Sequence, residues 1–170
     1  MSRVFEELLR VRDLGEGFLC PKYEDCITPW ALPDMREVVE RLKLARECGE
    51  KIIIYGDYDV DGVTASTVMY DLLGLIGIAK ENVEIMLPNR FLDGYGMSKK
   101  VVQRAVETGV KLVITVDCGS RNHEVIEELG EKKIDVIVTD HHECGETLPR
   151  AVAVVNPKRR DVVEDDRMKE

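Results

Sequence analysis

Five short segments of the chain are apolar at nearly every position, and polar or amphipathic stretches separate them. The segments cover 51–56, 83–87, 111–116, 134–139 and 151–156, and they are rich in β-branched residues. A short run that is apolar throughout is typical of a strand that is buried on both faces, as in a parallel sheet. The pattern therefore predicts a mainly parallel sheet of about five strands.

Helical patterns fill most of the intervals between these segments. They predict helices over 33–48, 62–76, 98–108 and 122–132. Pro33 stands where the first helix starts, and a glycine follows the end of each of the first three, which are usual start and stop signals. Strands and helices that alternate at this spacing predict an α/β fold, a doubly wound sheet with helices on both faces.

Length and composition indicate a single globular domain of ordinary size. Its 170 residues are enough to bury a sizeable core, and 44% hydrophobic with 34% charged residues is a globular composition. No apolar run reaches the length of a membrane span, and the acidic amino terminus does not resemble a signal peptide. We expect a cytoplasmic protein with an N-terminal segment (1–26), a main domain (27–160) and a charged C-terminal tail (161–170).

Charge and cysteine usage narrow the possible partners. The net charge of -9 opposes unaided binding of a polyanion, so a phosphate substrate would need metal cations or a local basic patch. Lys99, Lys100 and Arg104 are candidates for such a patch. The odd count of five cysteines at irregular spacing favours reduced thiols. Cys20 and Cys26 could form half of a zinc site, but no second pair of ligands follows in the sequence. This favours two thiols that bind no metal.

Acidic residues and histidines follow three of the predicted strands. They are Asp57, Asp59 and Asp61 after the first, Asp117 after the third, and Asp140, His141 and His142 after the fourth. Ligands of doubly wound sheets bind at the carboxyl ends of the strands, where these residues would meet. Carboxylates packed together raise one another's pKa unless a cation keeps them ionised, and oxygen ligands mixed with imidazole suit manganese, magnesium or iron. The pattern predicts a divalent metal site.

Two ions would account for the alternate aspartates. Asp59 and Asp61 can project to one side of their loop and bind adjacent ions, while Asp117 could bridge both. Two ions about 3.5–4 Å apart would hold a phosphoryl group and activate water for in-line attack. The site would then be a phosphoester-hydrolysing centre.

Further loop residues suit a phosphate substrate. Gly62 would open a helix whose free N–H groups face the same rim. Arg90 could form a two-point contact with a phosphate, and Gly94 and Gly96 would allow close backbone approach or loop movement. Taken singly, these motifs have simpler explanations: an Asp-Gly pair is usually a turn, and adjacent histidines are often one exposed and one packed. Their coincidence at the strand ends favours a functional site, whereas His123 is expected to be a surface residue.

Four motifs in order, "GDYDVDG", "PNRFLDGYGMS", "VDCG" and "VTDHHE", resemble those of the DHH phosphoesterase superfamily. The flanking "LPDMREVVERL" and "AVAVVNPKR" are similar to the RecJ-like single-strand exonuclease branch, and the similarity covers 27–160. The resemblance implies hydrolysis of single-stranded DNA from its 5′ end to 5′-mononucleotides, with Mn²⁺ or Mg²⁺, in DNA repair and recombination. A replication or repair protein would be a possible partner.

The resemblance also implies roles for individual residues. Asp59 and Asp61 would bind different ions, Asp117 would bridge them, and His141 would be an imidazole ligand. His142 would be a ligand or a phosphate contact. The remaining implied residues are Arg90, Gly94 and Gly96 for substrate binding, and Tyr55, Asp57 and Asp140 in support. Tyr55 replaces a metal-binding histidine of the related pyrophosphatases, which argues against pyrophosphatase activity.

Two departures from the family pattern leave alternatives open. The family's fourth-motif aspartate is missing at its usual place, with Asp161 as a weak substitute, and the carboxyl-terminal substrate-binding domain is absent from this chain. A phosphodiesterase of short oligonucleotides or cyclic dinucleotides is therefore a second hypothesis. A noncatalytic scaffold module is a third.

Overall fold

A computed structural model of the chain describes residues 2–89, 91 and 96–161. Its helices are α1 (Arg3–Val11), α2 (Glu16–Leu19), α3 (Met35–Cys48), α4 (Val60–Leu75), α5 (Lys100–Thr108) and α6 (His123–Glu131). Its strands are β1 (Ile52–Gly56), β2 (Val83–Met86), β3 (Leu112–Val116), β4 (Asp135–Thr139) and β5 (Ala153–Val155). None of the helices in the described part of the chain has the length and apolar character needed to cross a membrane.

All five strands pair in parallel in one sheet, in the order β2-β1-β3-β4-β5. In the register of the sheet, Ile54 lies opposite both Ile85 and Ile114, and Ile114 lies opposite Ile137. The predicted α/β sheet is thus confirmed, including its number of strands. In this order the chain reverses direction across the sheet between β1 and β3, which is where doubly wound folds bind their ligands.

Helices cover both faces of the sheet, as the sequence predicts. Alternate residues of β1 point to opposite sides: Ile53 packs in a cluster with α5 and α6, and Ile54 packs in a cluster with α3 and α4. Both side chains are fully buried. Full burial of an isoleucine stabilises a fold by about 1.5–3 kcal/mol, so these two clusters hold the strand ends in fixed relative positions.

The start of α4 differs from the prediction. The helix begins at Val60, two residues before Gly62, because the carboxylate of Asp59 caps it. Asp59 Oδ1 accepts hydrogen bonds from the backbone N–H groups of Asp61, at 3.0 Å, and Gly62, at 3.1 Å. These two N–H groups are therefore already bound, and the prediction that they are free to receive a phosphate is wrong.

Candidate metal centre

The loop after β1 holds its aspartates in a tight backbone arrangement. Asp57 is buried, and its Oδ1 accepts a hydrogen bond from the N–H of Tyr58 at 2.7 Å. Gly62 packs so closely on this loop that a Cβ there would fall on the backbone of Asp57. The glycine is needed for this contact, and the contact fixes where Asp57 and Asp59 lie relative to α4.

Asp117 follows β3 and lies at the centre of the site. Its backbone is left-handed, with φ of 61°, and its side chain is only 5% exposed. Oδ1 lies 2.9 Å from His141 Nε2, whereas Oδ2 is buried and has no hydrogen-bond partner among the described residues. Burial raises the pKa of Asp117, the charge of Asp59 raises it further, and the two histidines lower it only in part. The two histidines therefore compensate the negative charge of Asp117 only in part.

Asp140 organises the loop after β4. Its Oδ1 accepts hydrogen bonds from the N–H groups of His141, at 2.7 Å, and His142, at 3.0 Å, and lies 2.9 Å from His142 Nδ1. Oδ2 accepts from the N–H of Ser120 at 2.9 Å. Burial alone would raise the pKa of Asp140, but these hydrogen bonds outweigh it and the pKa is lowered. The ionised carboxylate favours the His142 tautomer that is protonated at Nδ1, a usual way to orient a metal-binding imidazole.

Ligand atoms in the site form two sets. The first set is Asp117, His141 and His142, the second is Asp57, Asp59 and Asp117, and the atoms within each set lie within 4.8 Å of one another. Asp117 belongs to both sets, so its carboxylate faces two candidate ion positions. Carboxylate oxygens with imidazole nitrogens, and a buried oxygen that lacks a partner, fit a divalent cation such as Mn²⁺.

The remaining predicted ligand, Asp61, lies in neither set. It is exposed in the first turn of α4, where it lines a cavity of about 480 Å³ together with Asp117 and His141. Asp57, by contrast, is grouped with the ligands, although the sequence suggested only a supporting role. The alternate spacing of the aspartates does not reveal which of their side chains face the metal site. That orientation depends on the backbone around the helix cap at Asp59.

Tyr55 supports the loop before α5. Its buried hydroxyl donates a hydrogen bond to the carbonyl of Gly96 at 3.3 Å and accepts one from the N–H of Ser98 at 3.0 Å. Gly96 has φ of 87°, and a Cβ there would lie 2.9 Å from the Asn122 side chain. Gly96 thus allows the loop to pack closely on Asn122. The predicted substrate contacts Arg90 and Gly94 lie outside the described residues.

Two residues of the expected basic patch face carboxylates. Arg104 Nε lies 2.8 Å from Glu84 Oε1, and Lys99 Nζ lies 4.0 Å from Glu128 Oε2. Both contacts are on the surface, where such pairs are weak, but each cation faces a carboxylate. Arg104 and Lys99 therefore offer less positive charge to a substrate than the sequence suggested.

Asp161 is held away from a ligand role by Arg159. Arg159 Nε and Nη2 donate to the two carboxylate oxygens of Asp161, at 3.1 and 2.8 Å, and Nη1 lies 2.6 Å from Asp34 Oδ2. The hydrogen bond from Arg159 lowers the pKa of Asp161. Because both oxygens are occupied, the structure argues against Asp161 as the missing metal ligand. The other acidic candidates of the tail, Glu164 and Asp165, lie outside the described residues.

Sequence reasoning missed Asn156, which braces the histidine loop. The buried Asn156 Nδ2 donates to Ser120 Oγ at 2.8 Å and to the carbonyl of His142 at 2.9 Å. An asparagine that follows an apolar strand is a hint of such a role, but its partners come from two other loops. His123, in contrast, lies half-buried at the start of α6 and in neither ligand set.

Comparisons with known proteins agree with this picture. The model of the DHH family, N-terminal domain, matches residues 51–163. The chain is 42% identical to the single-stranded-DNA-specific exonuclease RecJ of Escherichia coli over 134 residues, which are 78% of this chain and 23% of that protein. It is 43% identical to the corresponding RecJ of Bacillus subtilis over 145 residues, 84% of this chain and 18% of that protein.

A solved structure gives the same result in three dimensions. The crystal structure of an exonuclease RecJ bound to manganese superposes with a TM-score of 0.69 at 36% sequence identity, over 76% of this chain and 32% of that one. The chain spans about a fifth of the length of the curated relatives that it matches.

Proposed function

The chain belongs to the DHH family, as the match over residues 51–163 shows, and on that premise we propose that it is the metal-dependent catalytic domain of a single-strand exonuclease. The proposed reaction is hydrolysis of single-stranded DNA from the 5′ end, with release of 5′-mononucleotides, in DNA repair or recombination. Relatives at 42% and 43% identity, named single-stranded-DNA-specific exonucleases, support the substrate. The observation that carries the proposal is Asp117, shared between two sets of ligand atoms.

The proposed chemistry assigns a task to each residue of the site. Asp57 and Asp59 would hold one ion, and His141 and His142 a second, with Asp117 between them. When bound, two Mn²⁺ or Mg²⁺ ions supply a nucleophilic hydroxide and neutralise charge on the phosphoryl group. Asp61 would face the same cavity as a ligand or a water contact.

The protein supplies the orientation of the candidate ligands. Asp140 lies 2.9 Å from Nδ1 of His142 and would orient its imidazole toward the candidate ion position. Arg90 would contact the phosphate, with Gly94 and Gly96 giving the backbone room to approach it. All five cysteines are free thiols, which agrees with the proposed cytoplasmic location. A replication or repair protein is the proposed partner.

A second candidate substrate is a short oligonucleotide or a cyclic dinucleotide. It is favoured by the pairing of Arg104 with Glu84 and of Lys99 with Glu128, which leaves little positive charge for gripping a long strand. The aligned segments are 23% and 18% of the relatives' lengths, and the additional length of the relatives would provide that grip. Comparing rates on a dinucleotide and on a strand of about 20 nucleotides decides between the two substrates.

The test is release of mononucleotides from a 5′-phosphorylated single strand in the presence of Mn²⁺. We expect release by the wild-type chain, its loss in Asp117→Asn, and its retention in His123→Ala. Equal effects of the two substitutions would show that the site is misplaced. Failure of the wild-type chain to bind Mn²⁺ would remove both enzyme hypotheses and leave a noncatalytic scaffold.

A further inference from the structure

A second cavity adjoins the candidate metal centre at the loop that follows β4. It measures about 370 Å³ and is lined by residues 119–122 together with Asp140, His142 and Glu143. The cavity next to the ions is lined by Asp140 and His141. Asp140 lines both cavities, and the rings of His142 at the second cavity and His141 at the first lie 4.6 Å apart. The two cavities are therefore neighbours.

Arg121 brings positive charge to this cavity. Its Nε donates a hydrogen bond to the backbone carbonyl of Glu143 at 2.9 Å, which ties the guanidinium to the histidine loop. Among the described residues, no carboxylate forms an ion pair with Arg121, in contrast to Arg104 and Lys99. The two terminal amino groups of the guanidinium are therefore available to a ligand of the cavity.

The acidic groups around the cavity are already occupied. Asp140 accepts hydrogen bonds on both of its oxygens from the loops that it joins. The carboxylate of Glu143 lies 3.5 Å from Lys158 Nζ. Arg121 is thus a permanently charged cation of the lining that has no ion pair among the described residues, and a guanidinium is well suited to a two-point contact with a phosphate.

We propose that this cavity binds the nucleotide next to the scissile bond and that Arg121 contacts the phosphate of that nucleotide. The inference rests on the proposed function and names a substrate subsite for it. The cavity volume lies in the range of small-molecule sites, about 300–1,000 Å³. Because consecutive phosphates of one strand lie on either side of a nucleoside, a strand with one phosphate at the candidate ion positions would place the next one near the adjoining cavity.

The test asks whether the Arg121 side chain contacts one particular phosphate of the substrate. Binding of a 5′-phosphorylated thymidine tetranucleotide is measured by calorimetry with Ca²⁺, under conditions in which chromatography shows the ligand intact. A second ligand carries a neutral methylphosphonate at the linkage that follows the scissile one. We expect Arg121→Ala and the methylphosphonate each to weaken binding about tenfold or more, the size of a charge-assisted hydrogen bond, and their combination to weaken it no further. The salt slope of binding should fall by about 0.7 in Arg121→Ala.

Two controls separate this subsite from the proposed function. Arg150→Ala, which removes an exposed arginine whose Nη1 lies 3.7 Å from Glu127, should bind like the wild type. Hydrolysis of bis(p-nitrophenyl) phosphate with Mn²⁺ by the wild-type protein tests the proposed function separately, because that diester has no second phosphate. If the wild type fails to hydrolyse it, the proposed function fails, while the binding experiment still decides the subsite. Independent, additive effects of Arg121→Ala and the methylphosphonate, or none, would overturn the inference.

Discussion

Asp117→Asn tests whether the central carboxylate is held at an energetic cost that a metal ion relieves. The backbone at this position is left-handed, with φ of 61°, a conformation that asparagine tolerates as well as aspartate. The substitution therefore removes the charge while keeping the backbone and the shape of the side chain. In metal-free buffer we expect the variant to be more stable than the wild type.

The expected size follows from the contacts of Asp117. Oδ2 is buried without a hydrogen-bond partner among the described residues, and an unsatisfied buried group of this kind costs about 1–3 kcal/mol. The charge of Asp59 adds repulsion, as the raised pKa of Asp117 indicates. Asparagine places an amide at this point, which can donate to Asp59. A gain of about 1–3 kcal/mol corresponds to roughly 2–4 °C in Tm per kcal/mol for a domain of this size.

The assay is thermal unfolding followed by circular dichroism, in EDTA and in Mn²⁺. An ion at 100 times its Kd stabilises the wild type by about 2.7 kcal/mol, and we expect the variant to lose this gain. Asp71→Asn, an exposed aspartate on α4, is the matched control and should change stability by less than about 0.5 kcal/mol. A variant less stable than the wild type in EDTA would refute the account of the buried carboxylate. Equal stabilisation of both proteins by Mn²⁺ would show that Asp117 is not a ligand.

Four further substitutions test the residues that hold the loops around the site. Arg159→Met should lower the free energy of unfolding in urea by about 2–3 kcal/mol at pH 7, since it removes charge-assisted hydrogen bonds. Because Arg159 lowers the pKa of Asp161, that part of the difference should be present above about pH 4 and shrink as the pH falls further; a constant difference would contradict this. Gly119→Ala should cost more than Gly109→Ala: both have positive φ, but a Cβ at Gly119 meets Thr115 and Val138, whereas Gly109 has open space. We expect about 1 kcal/mol for the open position and at least twice that for the crowded one, and equal costs would refute the crowding argument. Tyr55→Phe should cost about 1–3 kcal/mol and speed hydrogen exchange of the Ser98 amide, and unchanged exchange would show that the hydroxyl does not hold the loop.

Sequence patterns predicted the sheet because each strand is a local run of apolar residues between clear stop signals. The five strands and the two-sided arrangement of helices agree with the structure. Helix starts were less well predicted: Asp61-Gly62 suggested a turn that opens α4, whereas the cap is Asp59. Asp59 and Gly62 are close in sequence, but which residue caps a helix depends on backbone geometry that composition does not show.

The contacts that sequence reasoning missed join residues far apart in the chain. Arg159 reaches Asp34, and Asn156 joins the loops that contain Ser120 and His142. No spacing rule relates such positions, because the fold alone brings them together. The cluster of acidic residues could be predicted from the sequence, because the carboxyl ends of parallel strands lie at the same edge of a sheet.

The sharing of Asp117 between two sets of ligand atoms has a consequence for folding kinetics. Its partners follow β1 and β4, on either side of β3, and these strands are separated by long stretches of chain. Such nonlocal pairing forms slowly, and the ligand atoms meet only after the three strands are in register. An ion bound there would therefore stabilise the native state more than the transition state. Metal would lengthen the lifetime of the folded domain by slowing unfolding, while leaving the rate of folding nearly unchanged.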